Sequence, residues 1–396
     1  MNRILKKIEG DKAIWAIAAL LAIFSFLPVY SSSSNLAYLY GNGNTISYLL
    51  KHLVHLALGF GILYGVHKIP YNYFRGLSII GVPIVILLLI FTIAEGTTIQ
   101  GANASRWIQI PLVGFTFQTS TLAMVVLMVY VARYLSKIKD RVITFKESIL
   151  PLWVPVFVIL ALILPANFST TAIIFAMVVV LVFLGGYPVK YLGIVLGAGA
   201  VMLLLFVLIA KALPDLLPNR VDTWISRIEN FTDQDNIEEG YQIEKAKIAI
   251  ATGGVTGLGP GKSVQKNFLP QSSSDFIYAI IVEEWGLLGA GFLMFLYLWL
   301  LFRLVIIVYK ATSAFGKLVV IGVGLPIVFQ ALINMGVAVE LFPVTGQTLP
   351  LISSGGSSIW MTCLALGIIL SVSAKRVETK KENEEENPLD ILSEAI

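Results

Sequence analysis

The chain has 396 residues, of which 57% are hydrophobic and 13% charged, and a mean hydropathy of +0.83. No soluble globular protein needs that much apolar surface, so the composition excludes a soluble enzyme and points to an integral membrane protein. The net charge of +4 says little by itself, and no nucleic-acid partner is expected. The single Cys363 lies in the last apolar run, which rules out an intramolecular disulfide.

About ten apolar runs of roughly 17–24 residues can be counted, each long enough to cross a ~30 Å hydrocarbon core. They fall near 13–31, 46–66, 76–95, 117–135, 148–165, 170–187, 189–212, 286–308, 316–338 and 356–374. The first follows a basic start (Arg3, Lys6, Lys7) without a small-residue cleavage site, so it reads as an uncleaved anchor. Backbone groups in lipid must pair within their own segment, so these runs are predicted to be helices. The expected fold is an all-α polytopic membrane protein with about ten transmembrane helices. Residues 1–374 read as a single membrane domain, with one large loop at 213–285 between the seventh and eighth spans. The tail 375–396 is charged, poor in aromatics and expected to be disordered.

Lys and Arg in the short loops set the orientation. One set of ends carries Lys68, Arg75, Arg133, Lys137, Arg141, Lys190, Lys310 and Lys317, whereas the short loops opposite carry Arg106 and little else. Both termini are therefore expected on the cytoplasmic side and the large loop outside. His52, His55 and His67 lie near the ends of the second span and read as interfacial side chains rather than metal ligands.

Four stretches carry chemistry. GLGPGKS (257–263) looks like a phosphate loop but has Thr256 where that motif needs Gly, and no strand precedes it. Nucleotide binding is excluded. What remains is a turn rich in N–H groups, with Lys262 and Lys266 beside it, which reads either as a connector or as a cradle for a pyrophosphate. SSSDFIYAII places Asp275 just before an apolar run, as a helix-start acid or as a general base at the membrane surface. Glu283 and Glu284 follow, as interfacial acids or as holders of a cation. In GANASRWIQI, Arg106 runs against the charge asymmetry, which suggests an anionic partner, and Trp107 is an interfacial aromatic. PVTGQTLPLISSGGSS (343–358) permits non-helical backbone at membrane depth. Gln330, Asn334 and Glu340 just before it are costly polar residues, read as functional groups or as glue between helices.

These pieces together resemble the SEDS proteins (shape, elongation, division and sporulation), polytopic bacterial peptidoglycan glycosyltransferases. The resemblance runs over nearly the whole chain. It is carried by Arg106-Trp107, GYQIEKAKIAIATGGVTGLGPGKSVQK, LPQSSSDFIYAIIVEEWG and LPLISSGGSS, and the run from Gly259 to Lys266 is more like the cell-division member than the elongation member. Some residues depart from the family pattern. Asn167 replaces an Asp after the fifth span, Thr121 and Met124 replace a Glu and a Lys opening the fourth, and Ser273 replaces a His two residues before Asp275.

The resemblance implies glycosyl transfer from a lipid-linked disaccharide-pentapeptide (lipid II) and an undecaprenyl-linked glycan, with inversion at the anomeric carbon. It makes Asp275 the general base. Arg106, Trp107, Arg220, Lys262, Lys266, Ser353 and Gly355 become substrate-binding candidates. No cofactor is required, while a divalent cation (Mg2+ or Mn2+) held by Glu283 and Glu284 stays open. Implied partners are a class B penicillin-binding protein (a transpeptidase) and other divisome proteins, in the cytoplasmic membrane at the division septum. A lipid II flippase and a non-catalytic scaffold for the transpeptidase remain as alternatives.

Overall fold

The structure, a computed structural model, describes residues 8–40, 44–96, 106–109, 116–139, 141, 143–212, 237–269 and 272–374. Each expected span overlaps a helix. In chain order these are α1 (Lys12–Tyr40), α2 (Thr45–Val66), α3 (Asn72–Glu95), α4 (Thr119–Ile138), α5 (Phe145–Ile163), α6 (Phe168–Leu184) and α7 (Val189–Ala212). After α8 (Ile237–Gly253) come α9 (Ile277–Lys310), α10 (Ala314–Ala338) and α11 (Gly356–Ser373). Among the described residues, nine helices are long and apolar enough to span a membrane, and α6 is apolar but 17 residues long. That is the lower limit for crossing a core of ~30 Å.

Burial orders the bundle. In α10 and α11, 67% and 72% of the most apolar window is buried, against 11% in α7, so the first two are central and α7 is peripheral. Lipid supplies no hydrophobic drive between helices, so close approach through small residues matters more. The contact of α2 with α11 shows this. A Cβ on Gly59 would lie 3.0 Å from the Cys363 and Ile359 side chains, and one on Gly367 would lie 2.8 Å from Val66.

Three features differ from the sequence expectation. First, α8 is a helix inside what reads as a polar loop. Its Ile243, Ala246 and Ala249 are buried at three-residue spacing, and this stripe packs on α9. Second, a two-stranded hairpin joins α3 to α4. Strand β1 (Trp107–Gln109) pairs antiparallel with β2 (Thr116–Gln118), Trp107 opposite Gln118. Third, α9 begins at Ile277 rather than near 286 and kinks at Gly286 (φ 63°, ψ −165°), a conformation essentially confined to glycine. The histidines are also corrected: His52, His55 and His67 are buried between helices, His52 against the Ser25 hydroxyl at 2.8 Å and His55 stacked on Trp360.

The kink breaks two helical hydrogen bonds, those from Leu287 and Leu288 to the carbonyls of Glu283 and Glu284. The turn after α8 takes up all four groups. Leu258 and Gly259 N–H donate to the Glu283 and Glu284 carbonyls, each at 2.9 Å. Leu287 and Leu288 N–H donate to the Gly254 and Val255 carbonyls at 2.9 and 3.2 Å. Backbone must meet backbone for this, and a Cβ on Gly253, Gly257 or Gly286 would lie 2.1, 2.2 or 2.3 Å from a carbonyl oxygen. Gly286→Ala is therefore expected to destabilise the protein by more than about 2 kcal/mol, from strain and overlap together. Gly193→Ala, where a Cβ meets nothing within 4 Å, should cost nothing. Melting temperatures of the two variants in one detergent check this, and equal values would refute the exchange.

Candidate active site

Asp275 is half-buried in the turn 272–276, two residues ahead of α9, whose N-cap position is Phe276. The non-helical segment 343–355 is laced to this turn. Ser354 N–H donates to the Ser273 carbonyl at 2.9 Å, and the Ser353 hydroxyl donates to the Ser274 carbonyl at 2.7 Å while accepting from Leu349 N–H at 2.7 Å. Asn334, on α10 and 1% exposed, joins the two stretches. Its Nδ2 donates to the Asp275 carbonyl at 2.8 Å and to the Gln347 carbonyl at 2.7 Å. Gly346, at φ +65°, lets the chain pass close, since a Cβ there would sit 3.5 Å from Asp275 Oδ2. Further tethers come from the membrane helices: Gln330 Nε2 to the Thr348 carbonyl at 2.9 Å and Tyr297 OH to the Pro350 carbonyl at 2.5 Å. Irregular backbone at this depth is stable because protein groups satisfy it. The carboxylate thus stands on a rigid frame, a requirement for a positioned acid or base.

Arg106 reaches the same end of the bundle from the hairpin. Its Nε donates to the Ala166 carbonyl at 2.9 Å. The next residue, Asn167, caps α6 by accepting from Thr170 N–H at 3.1 Å, and Gln347 Nε2 donates to the Thr170 hydroxyl at 3.1 Å. A chain of contacts therefore runs from Arg106 through the start of α6 to the Asp275 frame. Trp107 opens β1, and Gln118, at the other end of the hairpin, donates its N–H to the Ser357 hydroxyl at 3.1 Å. Gly355 ends the laced segment at the N-cap of α11. Thr121 and Met124 line one small cavity of about 20 Å³ with Gln330, Ser358 and Thr362. The two neutral replacements on α4 thus share one polar-edged void.

A second cluster lies about 9 Å further along α9, six residues at ~1.5 Å each. Glu283 and Glu284 are each 1% exposed. The Ser263 hydroxyl donates to Glu283, and Val264 and Gln265 N–H donate to its Oε1 at 3.0 and 3.3 Å. The Ser31 hydroxyl donates to Glu284, and Lys266 Nζ donates to Ser31 Oγ at 3.2 Å and to the Gly261 carbonyl at 2.8 Å. The N–H groups that follow GLGPGK hold the chain's own Glu283, whose carboxyl group is buried beside them, which favours the connector reading of that turn. Glu283 is engaged by N–H and O–H donors, and among the described residues no group of three or more His, Cys, Asp or Glu side chains could hold a metal ion. Lys266 faces inward into this network, while Lys262 is exposed beside Gly259. Arg220 lies outside the described residues.

Sequence reading missed Ser31, Gln347 and Thr170 as parts of these clusters. The first had a visible signal, the run Ser31–Ser34 in an otherwise apolar span.

Residues 11–378 match the FtsW/RodA/SpoVE family of cell cycle proteins. The chain belongs to that family. A probable peptidoglycan glycosyltransferase FtsW of Hydrogenovibrio crunogenus is 35% identical over 370 residues, 90% of each chain. One of Geobacter sulfurreducens is 33% identical over 378 residues, 93% of this chain and 97% of its own. Among solved structures, a chain of a peptidoglycan synthase complex that coordinates polymerization and crosslinking superposes with a TM-score of 0.70 at 25% identity, covering 93% of this chain and 98% of its own. The rod shape determining protein RodA of Thermus thermophilus gives a TM-score of 0.65 at 24% identity, covering 93% and 97%, and shares the fold. The expected SEDS fold and FtsW-like character of this chain are borne out.

Asn334→Asp keeps the side-chain shape but turns the two N–H donors toward the Asp275 and Gln347 carbonyls into acceptors. Leaving buried carbonyls unpaired costs about 1–3 kcal/mol each, so the variant should melt lower and lose tenfold or more in turnover. Unchanged turnover would show that the frame does not need this amide.

Proposed function

We propose that this FtsW-family chain is a peptidoglycan glycosyltransferase that polymerises lipid II on the outer face of the bacterial cytoplasmic membrane, with Asp275 as its general base. The observation that carries the role of Asp275 is its frame: a carboxylate at one end of the membrane bundle, its own carbonyl held by Asn334 and its neighbours' carbonyls by Ser353 and Ser354. The names of the relatives support the activity, and the resemblance in LPQSSSDFIYAII supports the residue.

In the proposed step, the 4-hydroxyl of the acceptor sugar attacks the anomeric carbon of the donor. The new bond forms from O4 to C1, the bond from C1 to the phosphate oxygen breaks, and undecaprenyl pyrophosphate leaves with the electron pair. Asp275 takes the hydroxyl proton as the bond forms. Negative charge develops on the leaving pyrophosphate, where cationic side chains stabilise it. Arg106, tied to the start of α6 near the Asp275 frame, is the cation we assign first; Lys262 is exposed, and Arg220 is retained from the sequence. Trp107, Ser353 and Gly355 are retained as substrate-binding candidates at the same end. Ser353 acts through the Ser274 carbonyl and so positions Asp275.

The proposal extends to context. Both termini lie in the cytoplasm, the protein works at the division septum, and a class B penicillin-binding protein crosslinks the glycan it makes. The similarity to a chain of a complex that polymerises and crosslinks supports that partner.

Polymerisation of purified lipid II, with the cognate transpeptidase present, tests the reading. Asp275→Asn keeps the shape and removes the base, so the rate should fall by about 10²–10⁴. Glu283→Gln, in the second cluster, should lower stability more than rate at permissive temperature. Equal polymer from wild type and Asp275→Asn would overturn the assignment of the base. No polymer from wild type bound to its partner would overturn the polymerase itself.

A further inference from the structure

The turn that locks onto the α9 kink carries large apolar side chains that are exposed. Val255 is 61% exposed and Leu258 41%. The α9 partner of Val255, Leu288, belongs to an exposed apolar strip: Leu287 at 57%, Leu288 at 65%, Phe292 at 40% and Phe295 at 57%. In a helix that crosses a membrane, such a strip faces lipid. The turn continues that surface without a break, because Leu288 N–H is bonded to the Val255 carbonyl and Leu287 N–H to the Gly254 carbonyl.

Helix length sets the depth. The last charged residues of α9 are Arg303, paired with Asp11, and Lys310 at its end. Between Trp285 and Phe302 the helix has no charge. A core of ~30 Å takes about 20 residues at ~1.5 Å each. Setting the far boundary of the core between Arg303 and Lys310 puts the near boundary between Glu283 and Ala290. The kink and the turn bonded to it fall inside that window.

We propose that the Gly-rich turn, residues 254–262, is a membrane-interface anchor rather than a solvated loop, with Val255 and Leu258 seated among the lipid acyl chains of the leaflet nearest Asp275. Lys262, exposed three residues after Gly259, extends to the lipid phosphates, as long basic side chains do at this level. The anchor fixes the height of the α9 start, and with it Asp275, relative to the bilayer surface. It stands on exposure, bonding and depth alone, whatever the reaction at Asp275.

Site-directed spin labelling of the full chain in bilayer nanodiscs tests it. With Cys363 replaced by Ser, single cysteines at Val255 and Leu258 carry the nitroxide. Leu298, exposed at mid-span, is the lipid reference, and Glu244, exposed on α8, is the water reference. The expected result is that labels at 255 and 258 collide more with oxygen than with a water-soluble nickel chelate, at a depth between the two references. Preference for the chelate, as at Glu244, would overturn the proposal. Protection from both reagents would overturn it too, because a second protein would then cover the patch. A second measurement keeps the test independent of cysteine tolerance: Leu258→Trp fluorescence should be quenched by lipids brominated near the headgroup, and the absence of quenching counts against the anchor.

Discussion

The arrangement depends on one exchange of main-chain hydrogen bonds. Gly286 forces α9 out of helical geometry, and an unpaired peptide group away from water costs several kcal/mol. Two carbonyls and two N–H groups are freed together, and the turn 254–259 supplies four complementary partners. Only glycine at 253, 257 and 286 lets the two backbones come close enough. That junction pins α8 along α9, and the turn 272–276 that carries Asp275 is held separately, by Asn334, Ser353 and Ser354.

The two polar clusters divide the work between building and chemistry. At Glu283 and Glu284, N–H and O–H donors from the turn engage Glu283 and the Ser31 hydroxyl engages Glu284 Oε1, with Lys266 behind it, while Glu284 Oε2 has no partner among the described residues. Removing one partner from such a network strands a charge, which is far costlier than never having had it. At Asp275, hydrogen bonds from Asn334, Ser353 and Ser354 engage the backbone around the acid. Fixing the main chain holds the carboxylate in place for an incoming hydroxyl. Thr121 and Met124 share a cavity with Gln330 and Ser358, which tether Thr348 of the 343–355 segment, so the α4 replacements border this frame.

What the sequence determined by itself was the architecture and the family. Spans are decided by local transfer energy, so each of the ten apolar runs lies on a helix, with most ends shifted by a few residues and the end of α1 and the start of α9 by nine. The Asp275 stretch was also readable, because a Ser-Ser-Ser-Asp run before an apolar segment marks a helix start that carries an acid. Tertiary structure alone decided the partners. GLGPGKS looked like an anion cradle because its N–H groups are real, but those of Leu258 and Gly259 meet the Glu283 and Glu284 carbonyls, and those of Val264 and Gln265 just after it meet the Glu283 carboxyl group, some twenty residues away. The stripe of α8 was present in Ile243, Ala246 and Ala249, yet small residues in a charged segment give little hydropathy signal. Asn334 was visible as a polar residue in a span, whereas its two acceptors, 59 and 13 residues away, depend on where α9 and the 343–355 segment cross. Hydropathy is a property of each segment, while hydrogen-bond satisfaction in lipid is a property of how segments meet.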